Sequence, residues 1–426
     1  KLLENQANVI TSADLEIINS RLLLLKDISW ILEKDILANL QKVLALSGAQ
    51  TASMLNPAAF RKYRKLNLLL NALDRLEVRG RDSAGIQLTF VLKNEKVMQD
   101  VMRRIKETGW GDDYQHRTQK GDLINQSIFV STGSGATSVT FTYKTFSIVG
   151  ELGRNVKELR QSIQSDLILQ CFAREESVCE TALTHTRWAS VGAITEENCH
   201  PVNNYTIIPS QPGYPAYPDT VAQINVVLNG DIDNYPALRD TLETGGDLIA
   251  PVITTDTKII PLQIEKYLKD GNRLTEAFRL ALNDFEGSHA IVMTSNLEPG
   301  KMFLALKGSG QAIYVGVNAD QYMLSSELYG LVEVMPRFIK MNGEAGNGAA
   351  GGQLFVLDQN QGGGLKGITA CFYDGTAIDL TQKDLQTAEI TTRDIDRSDY
   401  PHFFLKEISE SALSINTVLK SDLIPK

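Results

Sequence analysis

The sequence is poor in cysteine and histidine, the residues from which most metal centres and disulfide frameworks are built. Its 426 residues include four cysteines and five histidines. No two cysteines have the short spacing of a zinc or redox motif, and a chain of this length does not depend on a disulfide framework. We therefore expect reduced cysteines, no metal site and no cofactor, in a cytoplasmic protein.

The chain also lacks a basic surplus and long apolar segments. Its formal net charge is -9, and no basic stripe with interleaved aromatic residues occurs, which argues against nucleic-acid and anionic-membrane partners. The apolar runs are shorter than the roughly 18 residues of a membrane span. The first residues lack the apolar core of a secretory leader. A composition of 43% hydrophobic and 22% charged residues is ordinary for a globular protein of one large or several modest domains.

Residues 1–50 have the apolar periodicity of helices. Leu22–Leu25, Ile28, Ile31 and Leu32 recur at helical spacing, and the pattern begins near Ser12 and stops at Ser47-Gly48. By default such a pattern predicts a face that packs in a core or in an oligomer contact. We treat residues 1–59 as a helical N-terminal extension or insertion.

The rest of the chain alternates helices and strands. A helix over 60–76 precedes a strand over 86–92, and a charged helix over 95–108 is followed by a Gly/Asp turn. Ser131–Ser138 lacks the lysine of a phosphate-binding loop and predicts a hairpin tip. Glycine predicts hairpin tips or loose loops at 343–352 and 362–364, and Pro and Gly predict a loop over 207–219. Further helices are expected over 231–243, 254–268 and 274–283, and strands over 223–228, 288–294, 302–307, 312–317 and 321–325.

The segment Thr184–Asn204, THTRWASVGAITEENCHPVNN, is too polar for a core strand. A strand enters it, so His185 to Trp188 should lie where that strand becomes a loop. Arg187 offers a planar fork of donors that suits a carboxylate, and Trp188 could exclude water beside it. Taken alone, the segment is better explained as a surface loop that carries one salt-bridged arginine.

Three further motifs change that interpretation: RGRDSAGI at Arg79–Ile86, VVLNGDIDNY at Val226–Tyr235 and TTDTKII at Thr254–Ile260. Together with THTRWAS, their order and spacing resemble a class II glutamine amidotransferase domain. YPHFFLKEIS at Tyr400–Ser409 resembles the linker between the glutaminase and sugar-isomerase halves of the glutamine–fructose-6-phosphate aminotransferases. The resemblance covers most of residues 65–420.

This resemblance implies an α+β fold, a four-layer α/β/β/α sandwich of the N-terminal nucleophile hydrolase type, with a helical N-terminal block and insertions. The amidotransferase domain would span 60–395, with an insertion at about 95–140. Residues 396–426 would lead toward a sugar-isomerase-type domain. The implied partners are L-glutamine and a sugar-phosphate isomerase domain, downstream or in a partner chain, within a homo-oligomer.

Glutamine hydrolysis needs a nucleophile, a proton acceptor, an oxyanion stabiliser and a clamp for the amino acid's charged ends. By resemblance, Arg187 would bind the α-carboxylate. Asp256 would bind the α-ammonium, although a carboxylate that caps a helix N-terminus explains it too. Asn229 and the Gly230 amide would form the oxyanion hole; the alternative is a simple Asn-Gly turn.

Three more residues are assigned to substrate contacts by resemblance. Arg79 would support the nucleophile's end of the site, unless it is merely paired with Asp82. Trp188 would gate the ammonia route, unless it is an ordinary buried tryptophan. Ser190 stands, with Val191 after it, where the family more often has Thr and His.

The nucleophile itself is missing from the pattern. The family uses a cysteine at the mature N-terminus, whose α-amine is the base, but residue 1 is lysine and the first cysteine is Cys171. Cys199 lies in the central segment but has no free α-amine, and an internal cysteine is usually a small buried residue. Either a Cys-Gly-Ile-type strand precedes Lys1 or catalysis has been lost. Because the family's whole first strand is missing, we expect the former.

The leading hypothesis is therefore a glutaminase domain that supplies ammonia for amino-sugar phosphate synthesis from fructose 6-phosphate. The second is a catalytically inactive glutamine-binding or scaffold module. The third couples glutaminase chemistry to another acceptor, as in amidophosphoribosyltransferase or asparagine synthetase, but the linker argues against it.

Overall fold

The computed structural model describes residues 12–119, 124–133, 136–148, 150–205, 222–247, 249–346, 351–396, 400–401, 404–411 and 415. It divides into two compact units: Ile36–Ala388, and a smaller unit of Lys1–Asp35 with Glu389–Lys426. Within the described ranges, none of the helices has the length and hydropathy needed to cross a bilayer.

Ten α-helices are described before residue 400. They are α1 (Ser12–Trp30), α2 (Asn39–Ser47), α3 (Pro57–Leu76), α4 (Glu95–Glu107), α5 (Gly111–Gln119), α6 (Arg154–Gln164), α7 (Leu167–Ala173), α8 (Tyr235–Thr244), α9 (Ile259–Lys269) and α10 (Leu274–Asp284). A π-helix, Ile31–Ala38, lies between α1 and α2, and residues 404–411 are helical.

Fifteen strands are described. They are β1 (Ser83–Leu92), β2 (Ile128–Gly133), β3 (Ala136–Phe146), β4 (Ser177–Arg187), β5 (Val202–Asn203), β6 (Ile224–Gly230), β7 (His289–Ser295), β8 (Lys301–Lys307), β9 (Tyr314–Val317), β10 (Tyr322–Ser325), β11 (Arg337–Lys340), β12 (Gln353–Asp358), β13 (Ile368–Phe372), β14 (Ala377–Ile378) and β15 (Gln386–Thr387).

The strands form three antiparallel sheets. Sheet 1 has the order β2-β3-β1-β4, sheet 2 the order β14-β13-β12-β8-β7-β6-β5, and sheet 3 the order β10-β9-β11-β15. In sheet 1, Gly85 of β1 is opposite His185 of β4. This register carries the RGRDSAG motif beside the THTRWAS motif.

Strand β1 shows how sheet 1 separates two environments. Its alternate apolar residues, such as Ile86 and Phe90, are buried in a core shared with α3, α4, α6 and α7. The intervening positions are polar on the other face, where the Thr89 and Thr140 hydroxyls are 2.9 Å apart. That polar face lines a small cavity together with Asn225 of sheet 2. The period of two along the strand therefore directs one face to helices and the other to a sheet.

Sheet 2 is covered on both faces. Helices α8, α9 and α10 share a core with one face, in which Phe278 packs edge-on to Phe303. Its other face shares a core with sheet 3 and with Leu183 of β4. The order helices, sheet 2, sheets 1 and 3, helices confirms the predicted four-layer α/β/β/α architecture.

One local prediction is wrong. The expected Gly/Asp turn after α4 is the helix α5, whose Asp112 and Asp113 lie in its first turn and His116 and Arg117 in its last, a distribution that favours the helix dipole. For residues 343–352, the hairpin alternative is excluded, because β11 belongs to sheet 3 and β12 to sheet 2, and the loop alternative stays a prediction. The predicted hairpin at 362–364 does join the paired strands β12 and β13. The predicted loop 207–219 lies outside the described residues.

The apolar residues of α1 are exposed within the described structure, contrary to the expected packed face. Leu22 to Leu25 are between 50% and 62% exposed. Four consecutive leucines point around the whole helix, so no single face could bury them all. The alternative role, an oligomer contact, stays a prediction.

Candidate functional site

A cavity of about 380 Å³ lies where β4 and β6 end. All seven residues assigned from the sequence line it: Arg79, Arg187, Trp188, Ser190, Asn229, Gly230 and Asp256. Strand β4 contributes Arg187 as its last residue, and β6 contributes Asn229 and Gly230 as its last two. The polar side chains that end strands of two packed sheets therefore meet in one place, while their individual roles stay predictions.

Arg187 is 4% exposed, and its guanidinium is held by the loop that follows it. Nη1 donates to the carbonyl of Ala193 at 3.0 Å, and Nη2 donates to the carbonyl of Val191. Burial lowers the pKa of Arg187, but a guanidinium remains charged in proteins. The loop therefore holds two of the five N–H donors of a guanidinium that also lines the cavity.

Asp256 starts the short 3₁₀ turn Asp256–Lys258 that precedes α9. Its carboxylate accepts the backbone N–H of Ile232 at 3.0 Å and that of Thr257 at 2.7 Å. Burial raises the pKa of Asp256 above its ordinary value. Its position fits the helix-start alternative, and because Asp256 also lines the cavity the ammonium-binding interpretation stays open.

Asn229 and Gly230 do not form a simple turn between strands, since β6 is followed by α8. The Oδ1 atom of Asn229 is 2.9 Å from Nε2 of His185. Gly230 has φ of 87°, and a Cβ atom there would lie 2.1 Å from the carbonyl oxygen of Ser288. The position therefore accepts only glycine without rearrangement.

Two cavity-lining residues that the sequence reasoning did not assign are His185 and His200. Their ring centroids are 4.5 Å apart, and Nε2 of His200 is 2.9 Å from the Thr257 hydroxyl. Desolvation lowers the pKa of His185 to about 4 and that of His200 well below its ordinary value. One signal was present: His185 and Arg187 are two residues apart on β4 and so share a face.

For Trp188 and Arg79, the structure decides between the alternatives to a substrate contact. Trp188 is 75% exposed, so the alternative of a buried tryptophan is wrong. Arg79 is paired with Glu327 and not with Asp82, because the Asp82 carboxylate instead accepts the backbone N–H of Ala189 at 2.9 Å.

The hydroxyl of Ser190 donates to Oδ1 of Asp231 at 2.8 Å. This bond joins the loop after β4 to the residue that follows Gly230. Ser190 therefore ties two walls of the cavity together, and a contact with substrate stays a prediction.

No cysteine is found among the described residues that line the cavity. Cys199 is fully buried, with Sγ 3.4 Å from the carbonyl oxygen of His200, and burial raises its pKa. Both features favour an inert thiol, because the nucleophilic form is the accessible thiolate.

Relatives of the chain were found by sequence and by structure, although no protein-family model matches it. It is 30% identical over 237 residues to the glutamine–fructose-6-phosphate aminotransferase of Methanothermobacter thermautotrophicus, covering 56% of this chain and 34% of that protein. It is 29% identical over 256 residues to the enzyme of that name from Sulfolobus acidocaldarius, covering 57% and 36%. The solved glutamine phosphoribosylpyrophosphate amidotransferase of B. subtilis matches 73% of this chain and 47% of its own, with 15% identity and a TM-score of 0.42.

The sequence matches confirm the predicted resemblance to the glutamine–fructose-6-phosphate aminotransferases, which are enzymes. The chain spans about a third of the length of these curated relatives.

Proposed function

We propose that this chain is a glutamine-hydrolysing domain that supplies ammonia for amino-sugar phosphate synthesis from fructose 6-phosphate. The observation that carries the proposal is the convergence of the seven assigned residues on one cavity. Arg187 would take the α-carboxylate of glutamine and Asp256 its α-ammonium. The side-chain amide would then lie toward Asn229 and Gly230, whose N–H groups would stabilise the oxyanion.

A groove beside the cavity supports a nucleophile carried on an additional strand. It encloses about 210 Å³ and runs between β4 and β10. Among the described residues, no strand pairs with the outer edge of β4 in sheet 1 or with that of β10 in sheet 3. Leu66 and Leu69 of α3 line one wall, and Val292 and Leu357 of sheet 2 line the other. One extended segment, apolar on both faces, would join sheets 1 and 3 into a continuous sheet.

The strand directions favour one orientation of that segment. Strand β4 ends at Arg187, and β10 is followed by Ser326, and both residues line the cavity. Every strand pair described in sheets 1 and 3 is antiparallel. A segment antiparallel to both β4 and β10 would therefore begin at the cavity. A cysteine as its first residue would bring both thiol and α-amine to the site.

Peptide mapping of the protein from its native source tests the origin of the nucleophile. A cysteine-first peptide upstream of Lys1 is the expected result. A native chain that begins at Lys1 would leave glutaminase catalysis without its nucleophile.

Calorimetric titration with L-glutamine tests the cavity itself. Arg187→Ala and Asp256→Ala should each abolish binding, while Arg239→Ala should not. Arg239 is a matched control because it also holds a backbone carbonyl, that of Ile253 at 2.8 Å, outside the cavity. Equal loss in all three variants, or no binding by the unaltered chain, would refute the proposal.

The second candidate function is a glutamine-binding or scaffold module without catalysis. The absence of a cysteine among the described cavity-lining residues favours it. A synthetic peptide of one cysteine followed by apolar β-branched residues separates the two candidates. If the glutaminase proposal holds, this peptide should protect β4 and β10 amides from hydrogen exchange and release glutamate from glutamine. An N-acetylated peptide should protect the same amides without hydrolysis, since its α-amine is blocked. Protection without hydrolysis by the unblocked peptide as well would favour the binding module.

A further inference from the structure

We infer that His185 is a positioning residue that fixes which end of the Asn229 amide faces the cavity. The inference rests on the proposed function in one respect, that Asn229 stabilises an oxyanion. An amide side chain has a donor end and an acceptor end. Only the donor end stabilises negative charge. Whatever binds the Asn229 oxygen therefore decides whether the site attracts or repels an oxyanion.

The contact between His185 and Asn229 is direct. Nε2 of His185 lies 2.9 Å from Oδ1 of Asn229. If Nε2 carries the proton, it donates to this oxygen and leaves the amide N–H groups free for the cavity. If Nδ1 carries the proton, Nε2 becomes an acceptor, and the amide must turn over to donate to it. The Asn229 carbonyl oxygen would then face the substrate. The tautomer of His185 therefore determines whether Asn229 presents hydrogen-bond donors or an acceptor to the oxyanion site.

The surroundings of the ring select the first tautomer. Nδ1 of His185 is buried and has no hydrogen-bond partner of normal geometry. A proton on Nδ1 would be an unpaired buried donor, which is unfavourable. His185 lines the cavity, and its ring is in contact with that of His200.

The neighbouring charges oppose protonation of both rings. Arg187 lies near His185 and His200, and Lys144 near His200. Two imidazoles 4.5 Å apart also disfavour each other's charged form. Because a neutral ring has one N–H, the proton of His185 is on either Nε2 or Nδ1.

His200 belongs to a second chain of bonds. Its Nε2 lies 2.9 Å from the hydroxyl of Thr257, which lies 3.3 Å from the carboxylate of Asp256. With a proton on Nε2, His200 donates to Thr257, and Thr257 donates to Asp256. The hydrogen bonds on the oxyanion side of the cavity and those on its ammonium side therefore end at two histidine rings that are in contact with each other.

Nitrogen NMR of the chain labelled with ¹⁵N-histidine tests the tautomer without requiring turnover. Signals are assigned with His185→Gln and His200→Gln. We expect His185 at neutral pH to carry its proton on Nε2, and Asn229→Ala to shift that signal while leaving His289 unchanged. His289 is a suitable internal control, because it is buried and bonded to the Tyr373 hydroxyl at 3.1 Å. A proton on Nδ1, or a His185 signal that does not shift in Asn229→Ala, would overturn the inference even if the protein hydrolyses glutamine.

Kinetics of the glutaminase form from the native source supply the second measurement. His185→Phe should lower kcat roughly 100-fold, the lower end for loss of an oxyanion donor, with the KM for glutamine little changed. His185→Gln should recover most of the loss, since its amide can still donate. In an Asn229→Ala background, His185→Phe should have no further effect, whereas a merely structural role would give additive losses. His289→Phe should leave kcat unchanged. If no form hydrolyses glutamine, the proposed function fails and the tautomer measurement still decides the position of the amide.

Discussion

Replacing Gly230 by alanine should destabilise the protein by about 2–4 kcal/mol, the sum of two costs. Gly230 has φ of 87°, and a Cβ there would lie 2.1 Å from the carbonyl oxygen of Ser288 and 3.1 Å from its carbon. A left-handed conformation costs an L-residue roughly 1 kcal/mol. Relief of an overlap with backbone in a packed region costs about 1–3 kcal/mol more. Flexible side-chain ends cannot absorb this overlap, because the clashing atoms belong to the main chain.

Gly271 provides the matched control for this substitution. It has nearly the same φ, 90°, but no atom lies within 4 Å of its would-be Cβ. Gly271→Ala should therefore show only the conformational cost of about 1 kcal/mol. Urea unfolding followed by circular dichroism measures both variants, with equal slopes expected. If Gly230→Ala unfolds at the same urea concentration as Gly271→Ala, the Ser288 carbonyl moves without a measurable cost in stability, and the steric argument is wrong.

Three other substitutions test the site and its surroundings. Arg187→Lys should weaken glutamine binding at least about tenfold by calorimetry, because an ammonium cannot replace both the loop bonds and a paired carboxylate contact. Since burial raises the pKa of Asp256, glutamine affinity should fall on mild acidification, and Asp256→Asn should remove that pH dependence along with most of the affinity. Burial lowers the pKa of His289 to about 3. Below about pH 6.5 this histidine therefore binds a proton in the unfolded chain but stays neutral in the folded chain. Stability should drop from pH 6.5 downward, and His289→Phe should make that drop shallower.

The strands and motifs at the site were predictable because their signals are local. The end of β4 follows from a change from alternating to polar residues before Trp188. The end of β6 follows from an apolar run that stops at Asn229-Gly230. Each of these signals lies within about ten residues of sequence, which is the range over which periodicity and turn chemistry act.

The contacts inside the site could not be predicted in the same way. His185 and His200 lie on either side of the loop after β4, and only the fold of that loop brings the two rings together. Arg79 pairs with Glu327, which lies far along the chain, although Asp82 is close to Arg79 in sequence. Sequence proximity favoured Asp82, but that carboxylate is bound by the backbone of Ala189. Which groups a side chain pairs with depends on tertiary geometry, and rules based on propensity or sequence spacing do not contain that information.

Substrate binding and nucleophile supply are separable in this architecture. The groups assigned to the charged ends of glutamine are held by hydrogen bonds within Ile36–Ala388: Arg187 to the loop after β4, and Asp256 to the backbone N–H groups of Ile232 and Thr257. The nucleophile in our proposal instead depends on an extended segment between β4 and β10, whose outer edges are unpaired among the described residues. The cavity is therefore organised before that segment adds to the sheets. It follows that filling the groove should change turnover much more than affinity.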